Sequence, residues 1–158
     1  MFGFFKSKKE RVVSPVDGDI VELSAVPDEV FSQKMAGDGV AIVPRSNTFV
    51  APISGVVSKI FSTNHAFSIR SEMGVEVLVH IGLDTVELNG QGFERLLEEG
   101  SKVKVGQPII NVDLEFIQSQ GKEIITPIVL NHEKALSLSI DNVKTIREGE
   151  LLIEVVVK

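Results

Sequence analysis

The chain holds three histidines and no cysteine, so nucleophilic or metal chemistry must come from imidazole, carboxylate and hydroxyl groups. His80 closes the apolar run Val75-Glu-Val-Leu-Val79 and opens onto Ile81-Gly82-Leu83-Asp84. Alternation along a strand puts Leu78 and His80 on one face and Val77 and Val79 on the other. Alone, such an imidazole reads as a satisfied, half-buried residue. His65, in Thr63-Asn-His-Ala-Phe67, changes that reading. If Phe61 and Val79 end on adjacent antiparallel strands, the two rings can approach. His132, in Leu130-Asn-His-Glu-Lys134, reads as a solvated turn residue.

Two imidazoles could serve three kinds of chemistry. They are too few to hold zinc unaided, because structural sites use four protein ligands and catalytic sites usually three plus water. They could act as acid and base in a hydrolysis. One could also be a nucleophile held by the other. Imidazole suits reversible phosphoryl exchange because its ordinary pKa of about 6.5 leaves it largely neutral at neutral pH, whereas lysine is almost fully protonated. Phosphoryl transfer asks mainly for positioning and charge stabilisation, which a second histidine, hydroxyls and backbone N–H groups can supply.

The elements that must hold these groups are short and β-rich. Runs such as Asp19–Leu23, Val40–Val43, Gly55–Phe61, Val75–Val79 and Glu150–Val157 are dominated by Val and Ile and broken by Gly, Pro, Asp and Asn. This predicts an all-β antiparallel sandwich or barrel with few helical turns. Asp28–Phe31 and Gly92–Glu99, the latter closed by Gly100, are the helical candidates. An internal repeat runs through the pattern. Ser14–Ile20 matches Ala51–Val57 and Gly37–Val43 matches Gly74–His80, both at an offset of 37; Val103–Ile109 matches Ile146–Leu152 at an offset of 43. A duplicated β unit closing on itself is the expectation. Val43 of the first copy corresponds to His80 of the second, so a scaffold position carries a chemical group.

The 158 residues suit one domain over residues 12–158, with 1–11 as a flexible tail. A net charge of −6 argues against nucleic acid and for a partner with a basic face. The tail, with three Phe and then four basic residues, lacks the form of a signal peptide. It could touch an anionic membrane surface weakly, although a solvated tail is the expectation. No apolar run approaches the roughly 18 residues of a spanning helix. The absence of cysteine is compatible with a reducing, cytoplasmic setting.

Gly74-Val-Glu-Val-Leu-Val-His80-Ile-Gly-Leu-Asp-Thr-Val86 resembles the signature of the glucose-type IIA components of the bacterial sugar phosphotransferase system. Thr63-Asn-His65-Ala-Phe67 resembles that family's other histidine segment, and Gly37-Asp-Gly39, the Pro-x-x-Gly repeats and Val103-Lys-Val-Gly106 match as well. The resemblance implies a cytoplasmic phosphotransferase component carrying a phosphohistidine. The phosphocarrier protein HPr would donate to Nε2 of His80, whose Nδ1 is held by the carbonyl of Gly82. His65 would contact the phosphoryl oxygens, Thr63 would orient His65, and backbone N–H groups around Asp84 would complete the cradle. The group would pass to a cysteine of a sugar-specific IIB domain of the permease. The docking face implied is apolar, with Val30, Phe31, Met35, Phe61, Ser68, Leu78 and Val86, and has Asp28, Asp84 and Glu87 at its rim. No cofactor is required, although in some relatives the residues matching His65 and His80 share zinc with a regulated partner. Metabolic enzymes or transporters could be such partners. Glu29 and Leu78 depart from the family, which carries an apolar and a larger aromatic residue there.

Two other functions share features with the chain. A zinc metallopeptidase of the lysostaphin type would use His80-x-x-x-Asp84, yet it needs a downstream His-x-His where only His132 stands. A biotinyl or lipoyl carrier would need a lysine on a hairpin tip, and Lys34-Met35 is the nearest match.

Overall fold

The computed structural model describes residues 8–132, 136–140 and 143–157. Its strands are β1 (Lys8–Val13), β2 (Gly18–Glu22), β3 (Asp38–Pro44), β4 (Thr48–Val50), β5 (Gly55–Ile60), β6 (Ala66–Arg70), β7 (Glu76–His80), β8 (Phe93–Arg95), β9 (Lys102–Val103), β10 (Pro108–Val112), β11 (Thr126–Asn131), β12 (Leu136–Ile140), β13 (Thr145–Ile146) and β14 (Leu151–Val157). Two short helices are α1 (Glu29–Ser32) and α2 (Leu114–Ser119). The strands form antiparallel sheets in the orders β1-β14-β12, β4-β10-β8 and β13-β2-β3-β11-β7-β6-β5-β9. Val, Ile, Leu and Phe side chains from all three sheets share one core cluster, including Val12, Phe49, Phe67, Ile110 and Ile153.

The duplication is visible in the large sheet. Gly18 opens β2 and Gly55 opens β5, at the repeat offset. Ile146 of β13 pairs with Gly18, and Val103 of β9 pairs with Gly55, so the second repeat supplies an edge strand to each copy. Among the described residues the sheet does not close on itself: β13 and β9 are its two ends, each only two residues long. Edges that short offer little template for pairing with another chain.

Three expectations change. The ordered domain begins before residue 12, because Lys8–Arg11 already pair with Glu154–Val157 of β14; the rest of the anticipated tail, and with it most of the proposed membrane contact, lies outside the described residues. Gly92–Glu99 is not helical: Phe93–Arg95 form β8 against β10, which places Phe93 in the core, and tertiary burial overrides local propensity. The helix α2 was not anticipated, although Asp113 accepting a hydrogen bond from the N–H of Phe116 at 3.0 Å is a standard helix start. The turn over Asp28–Phe31 does form, as α1, with Asp28 capping the N–H of Val30 at 2.9 Å.

Candidate active site

His80 ends β7, whose side chains alternate between half-buried Glu76, Leu78 and His80 and buried Val77 and Val79. The neighbour of β7 on one side is β6, with Ala66 paired to His80. β6 therefore lies between β5 and β7, and the imagined direct adjacency of Phe61 and Val79 is corrected. The rings still meet, because His65 immediately precedes β6 and its carbonyl accepts the N–H of Ile81 at 2.7 Å. On the other side, pairing between β11 and β7 stops at Ile128–Val79. The next β11 residue is Pro127, which has no N–H with which to extend the ladder. On the β11 side the pairing ends before His80, while on the β6 side the Ile81 N–H stays bonded to the His65 carbonyl.

The chain after His80 folds back on the ring. Nδ1 of His80 lies 2.7 Å from the carbonyl oxygen of Gly82. A carbonyl only accepts, so the neutral ring carries its proton on Nδ1 and leaves the Nε2 lone pair free. Gly82 must be glycine: its φ is +76°, and a Cβ would lie 2.6 Å from Cγ2 of Thr85 and 2.7 Å from the carbonyl oxygen of Glu123. The Thr85 hydroxyl donates to the carbonyl of Ile81 at 2.6 Å and the N–H of Leu83 to that of Glu123 at 3.1 Å, fixing the loop from both sides. Asp84, exposed and left-handed at φ 58°, starts the 3-10 turn Thr85–Leu88.

His65 is buried, at 3% exposure, and its Nδ1 lies 2.5 Å from the Thr63 hydroxyl. The His65 and His80 ring centroids are 5.1 Å apart and nearly perpendicular, at 80°. Phe61 stands edge-on to His65 at 5.2 Å, and Phe31 of α1 stands 5.0 Å from His80. Burial, and secondarily the neighbouring His80, pushes the His65 imidazole down to about 4. Burial also lowers His80, opposed by its bond to Gly82 and by the Asp28 and Asp84 carboxylates. Both rings are thus held neutral near pH 7.

The structure divides the anticipated docking residues. Val30, Met35 and Val86 are exposed apolar side chains, Asp84 and Glu87 are exposed carboxylates, Asp28 is partly exposed, and Phe61 and Leu78 are half-buried. Phe31 and Ser68 are corrected. Phe31 is 5% exposed and packs in a second core cluster with Leu23, Ala41, Leu83 and Val129, so it backs His80 rather than offering a surface. Ser68 is buried against Ser58, whose hydroxyl lies 2.8 Å away, and donates to Glu76 at 3.2 Å.

His132 is corrected too: it is half-buried, with Nε2 2.8 Å from the carbonyl of Met73. That carbonyl precedes the start of β7, whereas His80 ends it. Among the described residues no group of three or more His, Asp or Glu is arranged to hold a metal ion. Two imidazoles without a third donor do not fit a resident zinc, and the metallopeptidase alternative loses its ligand set. Lys34 follows α1 and pairs with Asp38 at 3.3 Å, which is not the hairpin tip of a biotinyl or lipoyl carrier.

Two supporting residues escaped the sequence reading. Asn64 adopts φ 60°, and its Oδ1 accepts a 2.7 Å hydrogen bond from Nε of Arg95. An Asn between Thr63 and His65 is a signal for a left-handed turn, but nothing local points to Arg95, which arrives from a different sheet.

No helix among the described residues is long and apolar enough to cross a membrane. The chain is 47% identical over 146 residues to the "PTS system glucose-specific EIIA component" of Buchnera aphidicola, covering 92% of this chain and 86% of that protein. It is 45% identical over 148 residues to the protein of the same name from Haemophilus influenzae, covering 94% and 89%. It is 50% identical over 123 residues to a "PTS system N-acetylglucosamine-specific EIICBA component" of Klebsiella pneumoniae, covering 78% of this chain and 19% of that longer protein. The structure of "glucose permease IIA from Mycoplasma capricolum" superposes with a TM-score of 0.89 at 40% identity, covering 98% of this chain and 99% of that one. A family model described as "phosphoenolpyruvate-dependent sugar phosphotransferase system, EIIA 1" matches residues 10–136, and the chain belongs to that family.

Proposed function

We propose that this chain carries a phosphoryl group on Nε2 of His80, taking it from a phosphohistidine of the phosphocarrier HPr and handing it to a cysteine of a sugar-specific IIB domain. The observation that carries the reading is the bond from Nδ1 of His80 to the Gly82 carbonyl, which directs the free lone pair to Nε2. In the first step that lone pair attacks phosphorus, and an Nε2–P bond forms as the donor's N–P bond breaks, its electron pair returning to the donor imidazole. In the second step a thiolate attacks, an S–P bond forms, and the electron pair of the breaking bond returns to Nε2.

The surrounding groups fit these steps. A depressed pKa keeps His80 neutral and nucleophilic at pH 7. If the Thr63 hydroxyl donates to Nδ1 of His65, the His65 proton sits on Nε2 and can donate to a phosphoryl oxygen. Val30, Met35 and Val86 form the apolar part of the docking face, with Asp28, Asp84 and Glu87 around it for a basic partner. A zinc ion at His65 and His80 would need further ligands from a partner, and neither transfer step requires it.

The test is to combine the protein with phosphoenolpyruvate, the first enzyme of the system and HPr. An acid-labile, alkali-stable phosphate is expected, absent in His80→Ala. His65→Gln should still accept the group and pass it on poorly. Labelling that persists in His80→Ala overturns the assignment.

A further inference from the structure

We propose that Arg95 is a positioning residue for His65: from β8, in a different sheet, its guanidinium clamps the turn that presents His65 to His80. Nε donates to Oδ1 of Asn64 at 2.7 Å and Nη2 to the carbonyl of Phe61 at 3.4 Å, so one rigid fork spans the turn. The turn needs such a hold. Asn64 is left-handed at φ 60°, a conformation sparsely populated by residues with a side chain and tolerated best by Asn, Asp and His. The turn's own bonds, Asn64 N–H to the Phe61 carbonyl at 2.7 Å and Phe61 N–H to the Ala66 carbonyl at 3.0 Å, close it but do not orient it against the rest of the molecule. The Thr63–His65 bond likewise stays within the turn. Outside the turn, the bond from the Ile81 N–H to the His65 carbonyl at 2.7 Å holds its β6 end, and Arg95 holds the Asn64 end from a second sheet, because β8 is fixed by its pairing with β10, Ile110 opposite Arg95.

Chain order makes the arrangement economical. The segment leaving His80 runs through the turn Thr85–Leu88 to Gly90, which lies over Thr63, and then into β8. One stretch therefore carries the nucleophile at its start and the holder of the neighbouring imidazole at its end. The Arg95 side chain is 28% exposed and its ion-pair partner, Glu98 at 3.5 Å, is on the surface, so its removal leaves the core intact.

The consequence for transfer rests on the carrier reading; the consequence for His65 does not. Arg95→Met, Asn64→Gly and the double variant separate the two. Asn64→Gly keeps the left-handed turn and removes only the anchor. Nuclear magnetic resonance titration should show the His65 midpoint rising from about 4 toward the ordinary histidine value in each variant, as the loosened ring meets water. Acceptance of phosphate by His80 should stay within about twofold while onward transfer falls about tenfold or more. The double variant should be no worse than Arg95→Met alone, because Arg95→Met already removes the bond to Asn64 together with the one to Phe61. An unchanged His65 midpoint, or losses that add in the double variant, overturns the proposal. If the unaltered protein takes no phosphate, the carrier reading fails while the titration still decides the role of Arg95.

Discussion

The two copies of the repeat share their frame and differ in what they insert into it. β2 and β5 begin at matching glycines, and β3 and β7 both lie against β11, ending near Val43 in one copy and at His80 in the other. After β2 the chain forms α1, which brings Phe31 to 5.0 Å from His80. After β5 it forms a tight turn and β6, which bring His65 to 5.1 Å from the same ring. Insertions of different kinds thus converge on one strand end. A histidine at the strand end becomes a site only where one insertion adds a second imidazole and the following loop supplies a carbonyl.

Moving the histidine to the other copy tests this most severely. Val43→His with His80→Ala should incorporate no phosphate in the HPr assay, because position 43 has neither the Gly82 carbonyl nor His65 beside it. Labelling of that variant would show that the frame alone suffices.

Next in size is the loop after the strand. Gly82→Ala places a Cβ into Thr85 and the Glu123 carbonyl in a left-handed conformation, and should cost about 2–3 kcal/mol in urea unfolding. The matching residue of the first copy, Arg45, makes only an exposed ion pair with Asp19 at 2.7 Å, so Arg45→Ala should change stability by no more than about 0.5 kcal/mol. Similar losses at both positions would remove the asymmetry.

A smaller effect is expected at the hydroxyl behind His65. Thr63→Val should leave acceptance by His80 intact, slow onward transfer about tenfold and cost about 1 kcal/mol of stability. The pH response probes the same buried ring. His65 binds its proton more weakly when folded, at about 4, than when unfolded, at 6.5. Above the unfolded value both states are neutral and pH has no hold on this group. As pH falls from 6.5 toward 4 the unfolded state gains the proton first and stability is lost. The urea midpoint should therefore drop between pH 7 and pH 4.5, and His65→Gln should drop less. An equal fall in both would place the sensitivity elsewhere.

Most strands were legible because Val- and Ile-rich runs bounded by turn residues meet little competition from helix, and β14 and β5 fall within a residue of the expected limits. Gly92–Glu99 was misread because its helix-compatible residues say nothing of the core that Phe93 enters through β8. The docking face was legible only in part. Phe31 and Met35 look alike as apolar residues near α1, yet one is 5% and the other 71% exposed, a difference set by the packing of Phe31 against residues far along the chain.

The sequence by itself determined the antiparallel β class and the duplication, and it singled out His80 and His65 as candidate groups for chemistry, since alternation, repeat offsets and residue type are local properties. The resemblance to the IIA family, and not any local pattern, pointed to Gly82 and Thr63 as their partners. Only the tertiary structure decided that β6 lies between β5 and β7 and that Pro127 stands where the β11–β7 ladder stops. It also set Phe31 behind His80 and Arg95 behind the His65 turn. Each of these is a contact between segments distant in sequence, chosen by which packing buries the most apolar surface while satisfying every buried polar group, and no window of residues contains that choice.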